Sequence, residues 1–328
     1  TLEPGEIKQP HCAICGTPPT TKQSEHYFFK LTDFSNQLKK WLTENKNLQP
    51  DVKNYVLNWV KEGLRDWDIT RDLTWGVPIP LEEAKGKVLY GWFDNHLCYI
   101  STAQKHFSEK GVDGKEAWNT SKIYHFIGKD IVYHHYLFLP AMRLGEGEYK
   151  LPEFIPTRGH LLLEGDKFSK SRGWYVGLRD FLNLFPADYL RYYLTAITPY
   201  SQSDVNFDWE DFKNKINNEL IANTGNFVHR ILTFVWSNYE GKVPKAGTRD
   251  ELDNELEEKI KTVAGDVAEE IEKVELNKGL RKIVEFSAFC NQYFQKKQPW
   301  TDKEKAKTCI YLGINALRSL AILLEPFI

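Results

Sequence analysis

The sequence predicts an α/β region followed by an all-α helix bundle. Three observations predict it. Between Lys85 and Glu164, apolar runs of strand length alternate with helical patterns; after about residue 208 the strand-like runs stop; from Phe212 onward, apolar residues recur every three or four positions. Alternating strands and helices imply a parallel sheet, with chemistry at the strands' carboxyl ends. The 328 residues make two domains at roughly 150 residues each. Hydrophobic residues at 41% and charged residues at 27% argue against wholesale disorder. A net charge of −2 excludes a globally basic nucleic-acid coat but leaves room for a local basic surface. No run reaches the roughly 20 apolar residues of a membrane span, and Thr1–Gly5 lacks a signal-peptide pattern. No membrane partner is therefore expected. Met142 is the only methionine, so the sequence does not open on a translation start and is expected to be part of a longer chain. The five cysteines (Cys12, Cys15, Cys98, Cys290, Cys309) are odd in number and mostly isolated, which suits a reducing cytoplasm better than a disulfide framework.

Residues 11–19 form a turn-rich knuckle, in which Cys12-x-x-Cys15 has the spacing of half a tetrahedral zinc site; no second pair follows. Residues 26–31 read as an aromatic strand. Phe34, Leu38 and Trp41 share one helical face, and Val52, Tyr55, Val56 and Trp59 share another before Gly63. A strand is predicted over 87–93, a helix over 97–109, a strand over 122–127, a helix over 131–144 and a strand over 160–164. The bundle begins with Phe212, Ile216, Leu220, Thr224, Phe227, Ile231 and Phe234. A second helix, Leu252 to Val274, opens on Thr248-x-x-Glu251, which has the form of a capping box. A third covers 280–294. A fourth opens on Thr301-x-x-Glu304 and carries Ile310, Leu317, Leu320 and Leu324. Residues 251–275 hold ten carboxylates against three lysines. That helix repels a phosphate backbone, so RNA has to lie on the others.

The string with the most chemistry is Gly165-Asp166-Lys167-Phe168-Ser169-Lys170-Ser171-Arg172-Gly173. Three cations and two hydroxyls after an apolar strand suit polyphosphate, where charge must be neutralised as it moves to a leaving group. As composition alone, the same string is a solvated basic turn. As an ordered string, Lys-Phe-Ser-Lys-Ser resembles the Lys-Met-Ser-Lys-Ser signature of class I aminoacyl-tRNA synthetases. Gly91-Trp92-Phe93-Asp94, Tyr124-His125-Phe126-Ile127-Gly128-Lys129-Asp130-Ile131, the run Phe185 to Tyr193, Gly225-Asn226-Phe227-Val228-His229-Arg230 and Gln298-Pro299-Trp300 resemble methionyl-tRNA synthetases. The knuckle and the run Arg71 to Pro78 resemble their archaeal form. The resemblance covers Cys12 to Phe327.

The resemblance implies the end of a zinc-knuckle insertion (1–30), the second half of a class I Rossmann-type catalytic domain (31–165), the lysine-serine loop with a stem-contact region (166–208) and an anticodon-binding helix bundle (209–328). It implies ATP-dependent attachment of methionine to its tRNA through methionyl-adenylate, with methionine, ATP with Mg2+ and a tRNA bearing a CAU anticodon as substrates. Lys167 and Lys170 would be catalytic, steadying the departing pyrophosphate, while Ser169 and Ser171 shape the loop around ATP. Asp130 would hold the ATP ribose; read from the residues alone, it is equally a helix N-cap before Ile131. Leu161 would lie against adenine, or belong to an ordinary buried strand. Trp67, Trp92, Tyr99 and His135 would form the amino-acid pocket, where aromatic edges favour a thioether; singly, each is also a core residue. Asn226 and Arg230, four apart on one helix face, and Trp300 would read the anticodon by stacking and edge recognition. Lys278, Arg281, Lys282, Lys296 and Lys297 would add phosphate contacts, or form a solvated basic face. Cys12 and Cys15 would ligate structural Zn2+ in the intact protein.

The sequence departs from the family pattern at Asn95-His96, where Ala-Pro is usual, at Leu139, where Trp is common, at Cys98 for Gly, and at Phe168 for the signature Met. The family's His-x-Gly-His string is absent. On these grounds the sequence predicts the carboxyl-terminal two-thirds of such an enzyme, inactive alone and a possible partner for the missing amino-terminal half. The alternative is a non-catalytic tRNA-, RNA- or partner-binding module derived from a synthetase.

Overall fold

A computed structural model describes residues 7–8, 11–12, 15–20, 23–170 and 172–328. The chain separates into two compact units: the described residues up to Ile123 together with Tyr133–Glu153, and Tyr124–Val132 together with Phe154–Ile328.

In the first unit, β1 (Ile7–Lys8) and β2 (His11–Cys12) pair antiparallel, Ile7 opposite Cys12. β3 (Phe28–Phe29) precedes α1 (Ser35–Glu44) and α2 (Pro50–Glu62). The four-residue spacing in the sequence becomes the buried stripe: Leu38 and Leu42 on α1, Val52 and Val56 on α2. Pro50 starts α2, where no amide donor is needed, and Gly63 ends it at φ 104°, a conformation that favours glycine. β4 (Trp67–Asp68) pairs with β3, setting Trp67 opposite Phe29. β5 (Thr70–Arg71) pairs antiparallel with β6 (Val88–Leu89). The strand expected over 87–93 therefore ends at Leu89, and its partner runs the opposite way to the parallel sheet expected. Gly91 opens α3 (Gly91–Asp94), which continues through a 3-10 turn (Asn95–Leu97) into α4 (Cys98–Ser108). α5 (Gly114–Thr120) is capped by Asp113, which accepts from the Glu116 amide. A wide π-helical turn (His134–Phe138) leads into α6 (Leu139–Glu146). Ile100, Trp118 and Ile123 form a small core.

In the second unit, β7 (Ile127–Gly128) pairs parallel with β8 (Thr157–Arg158), a pairing extended by a Tyr124–Phe154 bridge. β9 (Leu161–Leu163) lies between β10 (Asp166–Lys167), antiparallel, and β11 (Val205–Phe207), parallel. Parallel pairing is thus present, but in separate ladders of two or three residues among the described residues.

Helices follow: α7 (Leu178–Leu184), α8 (Ala187–Ile197), α9 (Trp209–Lys215), a π-helical stretch (Ile216–Gly225), α10 (Asn226–Tyr239), α11 (Glu251–Glu272), α12 (Leu276–Lys297) and α13 (Lys303–Leu324). Phe227, Ile231, Leu256, Val267, Ile283 and Ala316 are fully or almost fully buried in their core. Within this stretch the Asn223 carbonyl accepts from the Asn226 amide and also from the Asn291 side chain, the latter at 2.8 Å. α12 starts at Leu276, four residues before the expected position, whereas the caps of α11 and α13 fall two and one residues after the expected ones. Asp250, not Thr248, caps α11 in a reciprocal box with Asp253, and Asp302, not Thr301, caps α13. By length and composition α13 could cross a membrane, which the sequence reading had not anticipated. Its apolar side nevertheless packs in the bundle, with Cys309, Leu312, Ala316 and Leu320 buried. The α11–α12 elbow turns at Val274, buried with φ 63°, and the Arg158 guanidinium donates to its carbonyl at 2.8 Å while lying 4.3 Å over the Tyr200 ring.

Candidate functional site

The four pocket residues expected from the sequence lie together in the first unit, linked by His96, which the sequence set beside them, and by His134, which it did not. Trp67 stacks on Phe138 with ring centroids 3.7 Å apart and meets His134 edge-on at 5.5 Å. His134 lies 4.7 Å from Trp92. His96 lies 5.3 Å from His134 and 5.4 Å from His135. The Tyr99 hydroxyl and His135 Nε2 are hydrogen-bonded at 2.9 Å. His96 and His135 are buried, whereas Trp92 and Tyr99 remain over a third exposed. Burial, reinforced by His135 and His134, pushes the His96 imidazole down to about 3, so it is neutral at ordinary pH. Neither of its ring nitrogens, nor Asp94 Oδ1, has a hydrogen-bond partner among the described residues. Burial also raises the Tyr99 phenol. The cluster is therefore aromatic, with the neutral, unsatisfied His96 ring at its buried end and the buried Arg143 cation nearby. It suits a polarizable apolar side chain carrying a weak acceptor.

The lysine-serine loop belongs to the second unit. Glu164 (φ 49°) and Gly165 (φ 85°) make the two-residue turn between β9 and β10, which places Lys167 opposite Leu162. Ser169 and Trp174 exchange backbone hydrogen bonds of 2.8 and 2.9 Å, and the Trp174 indole donates to the Leu163 carbonyl, tying the loop back to β9. Lys167 and Lys170 are exposed. Among the described residues neither is paired with a carboxylate. Ser171 lies outside the described residues. Asp130 follows β7 with its carboxylate 62% exposed and 3.5 Å from His160 Nε2. It does not cap a helix: the N-cap is Gly128, with no side-chain bond. A Cβ at Gly128 would stand 2.6 Å from Asp130 Oδ1, so any side chain there would displace that exposed carboxylate. Lys129 pairs with Asp204 at 2.7 Å, and Asp204 also accepts from the His160 amide. Together these contacts, Lys129 first, hold the Asp204 carboxyl below its usual range. His160 and Asp204 carried no motif signal; only the close approach at Gly159, where a Cβ would meet the Ser203 carbonyl at 2.0 Å, explains the glycine before them. Leu161 is half-buried against the apolar core, as an ordinary strand residue would be.

On the bundle, Arg230 and Trp300 share one buried ring, and Asn226 lies one turn before Arg230 on α10. Arg230 lies 4.6 Å over Phe294, and its Nη2 donates to Gln295 at 2.8 Å. Trp300, 53% exposed, packs on the same ring at 6.1 Å. Asn226 donates to Asn291, one turn back on α12. The result is a surface with an amide, a guanidinium and an exposed indole. The expected phosphate contacts fare less well. Lys297 is tied to Asp250 and Asp253 with its side chain only 4% exposed, Lys278 pairs with Glu275, and Lys282 with Glu270.

A family profile described as tRNA synthetases class I (M) matches residues 1–232, and one described as the anticodon binding domain of methionyl tRNA ligase matches 243–328. The chain belongs to the methionyl-tRNA synthetase family. It is 45% identical to the methionine–tRNA ligase of Methanopyrus kandleri and 43% identical to that of Methanosphaera stadtmanae, in each case over 100% of this chain but 49% and 48% of the relative. The chain thus spans about half the length of these relatives. The Mycobacterium tuberculosis methionyl-tRNA synthetase bound by methionyl-adenylate superposes with a TM-score of 0.86 at 26% identity, over 99% of this chain and 66% of that one.

Within the methionyl-tRNA synthetase frame, the departures acquire places. His96 lies inside the histidine cluster. Leu139, where Trp is common, lines a cavity of about 580 Å³ with Phe93, Leu97, Ile100 and Met142. At the knuckle, Thr17 hydrogen bonds, with a smaller contribution from Cys12, lower the Cys15 thiol to about 7. Two thiols supply half of the four donors that structural zinc needs, and no group of three or more metal-ligating residues occurs among the described residues. The residues present do not fit a complete zinc site.

Proposed function

We propose that this chain contributes amino-acid, nucleotide and anticodon recognition to an ATP-dependent methionine–tRNA ligase acting in the cytoplasm. Its regions would be those expected from the sequence: 1–30, 31–165, 166–208 and 209–328. The observation that carries the reading is the packing of Arg230 and Trp300, distant in sequence, on the same Phe294 ring, with Asn226 one turn before Arg230 on α10.

In this reading Trp92, Tyr99 and His135, with Trp67 behind them, hold the methionine side chain. Asp130 accepts from the ATP ribose, and Leu161 borders adenine. The methionine carboxylate attacks the α-phosphate of ATP–Mg2+ and pyrophosphate leaves. Lys167 and Lys170 carry compact positive charge to the departing oxygens, and Ser169 and Ser171 shape the loop that moves them. A ribose hydroxyl at the end of the tRNA then attacks the activated carbonyl and AMP leaves. Trp300 stacks on an unpaired CAU base while Asn226 and Arg230 read base edges.

The test is binding of the chain to an RNA stem-loop. A CAU loop should bind tighter than a scrambled loop, and Trp300→Ala should weaken the CAU complex by about tenfold, as loss of one base–aromatic stack does. Equal affinity for both loops would dismiss anticodon reading. A second reading, RNA binding without chemistry, is favoured by the Asn95-His96 departure inside the pocket. Methionine-dependent ATP–pyrophosphate exchange, in the presence of any further chain the enzyme requires and lost in Lys170→Ala, separates the two.

A further inference from the structure

The last turn of α12 has two working sides. Phe294 faces Arg230 and Trp300. One residue before it and three after, Tyr293 and Lys297 face the start of α11. There the Tyr293 hydroxyl donates to Asp253 Oδ1 at 2.6 Å, and Lys297 Nζ reaches Asp250 at 2.7 Å and Asp253 at 2.9 Å. The Lys297 side chain is 4% exposed and that of Asp253 1%. Burial opposes the ammonium, but hydrogen bonds to Asp250 and Asp253 outweigh it and raise its pKa, so Lys297 stays charged. Directly after Lys297 the chain turns through Gln298 at φ 42°, its carbonyl accepting from the amide and hydroxyl of Thr301. Trp300 sits inside that turn.

A buried ion pair is a poor source of stability, because desolvation cancels most of its attraction and a well-packed apolar pair often does as well. What charge and directed hydrogen bonds do supply is a single geometry. We propose that Lys297 and Asp253, with Tyr293, are positioning residues: they fix the left-handed corner at Gln298 and so hold the Trp300 indole in register with Arg230 for stacking on an anticodon base. The proposal rests on the anticodon reading above. It goes beyond it by assigning the recognition geometry to side chains that never touch RNA.

The experiment uses the full chain with the paired apolar replacement K297M/D253L, and with 5-fluorotryptophan incorporated so that W300F assigns the Trp300 fluorine resonance. Because Asp253→Leu also removes the acceptor of the Tyr293 hydroxyl and of the Asp250 amide, the paired variant should keep the wild-type circular dichroism and melt somewhat lower, while the Trp300 resonance shifts and broadens. Its affinity for a CAU stem-loop should fall about tenfold, as expected for a lost stack. In a Trp300→Ala background the same pair should cost no further affinity. An unmoved Trp300 resonance overturns the positioning role whatever RNA does. A loss of affinity that persists fully in the Trp300→Ala background, or one that the comparably destabilising core substitution Val263→Ala reproduces, shows a general structural role instead and also overturns it. Should the wild-type chain fail to prefer the CAU loop, the anticodon reading falls by itself, and the fluorine signal still decides whether the network places the indole.

Discussion

His96 shows how a single residue's surroundings set its chemistry. An imidazole enclosed by Trp92, His134 and His135, and held near a pKa of about 3, binds no proton in the folded chain. In the unfolded chain it binds one at about 6.5. The folded state therefore carries its full advantage above about pH 6.5 and loses it progressively as pH falls toward 3, by up to about 1.4 kcal/mol per pH unit. His96→Leu should flatten this acid limb. Unfolding free energies at pH 7 and pH 5 measure it, and wild-type and variant curves that stay parallel would refute the assignment. Legibility at this scale followed pattern. Asn226 and Arg230 were readable because four residues make one helix turn, and the Gly165–Gly173 loop because its order is distinctive. His134, His160, Asp204 and Phe294 were not. A lone ring or carboxylate acquires its role from neighbours far off in sequence, as Asp204 does from His160 44 positions away.

At the scale of elements, the α11–α12 elbow stores strain. Val274 has φ 63°, which crowds a branched side chain, yet its side chain is buried and its carbonyl is held by Arg158. Removing the side chain loses packing in both Val274→Ala and Val274→Gly, but only glycine relaxes the backbone. Val274→Gly should therefore be the more stable of the two by about 1 kcal/mol, the reverse of their order within a helix. Chemical denaturation of the pair measures it; alanine the more stable would show that the turn is unstrained. The bundle helices were legible because a buried stripe must repeat every 3.6 residues. Their exact starts were not, since Asp250 and Asp302 outcompete nearby threonines as caps. Short strands were hardest: β8 and β11 are two and three residues long, too short for any alternation, and owe their pairing to partners elsewhere. The same weakness made 87–93 look like one strand of a parallel sheet.

For the whole molecule, a net charge of −2 hides segregation. α11 carries nine of the bundle's nineteen carboxylates, and Glu251, Glu255 and Glu258 line an open groove with Asn254 and Phe289. This face repels a phosphate backbone and, in the proposed reading, leaves the Trp300 side for RNA. Replacing Glu251, Glu255 and Glu258 together with glutamine should raise affinity for a scrambled stem-loop at low salt while leaving the CAU complex nearly unchanged, so that discrimination narrows. Titrations at two ionic strengths measure this, and unchanged discrimination would show that α11 does not steer. The Arg158 contact has a consequence for protein engineering. β7, which leads directly to Asp130, is laced to β8, and β8 is laced through one guanidinium to the bundle's elbow. A chimera that grafts the bundle of one relative onto the strands of another must therefore inherit both halves of that clasp, or its graft junction will ravel at the elbow.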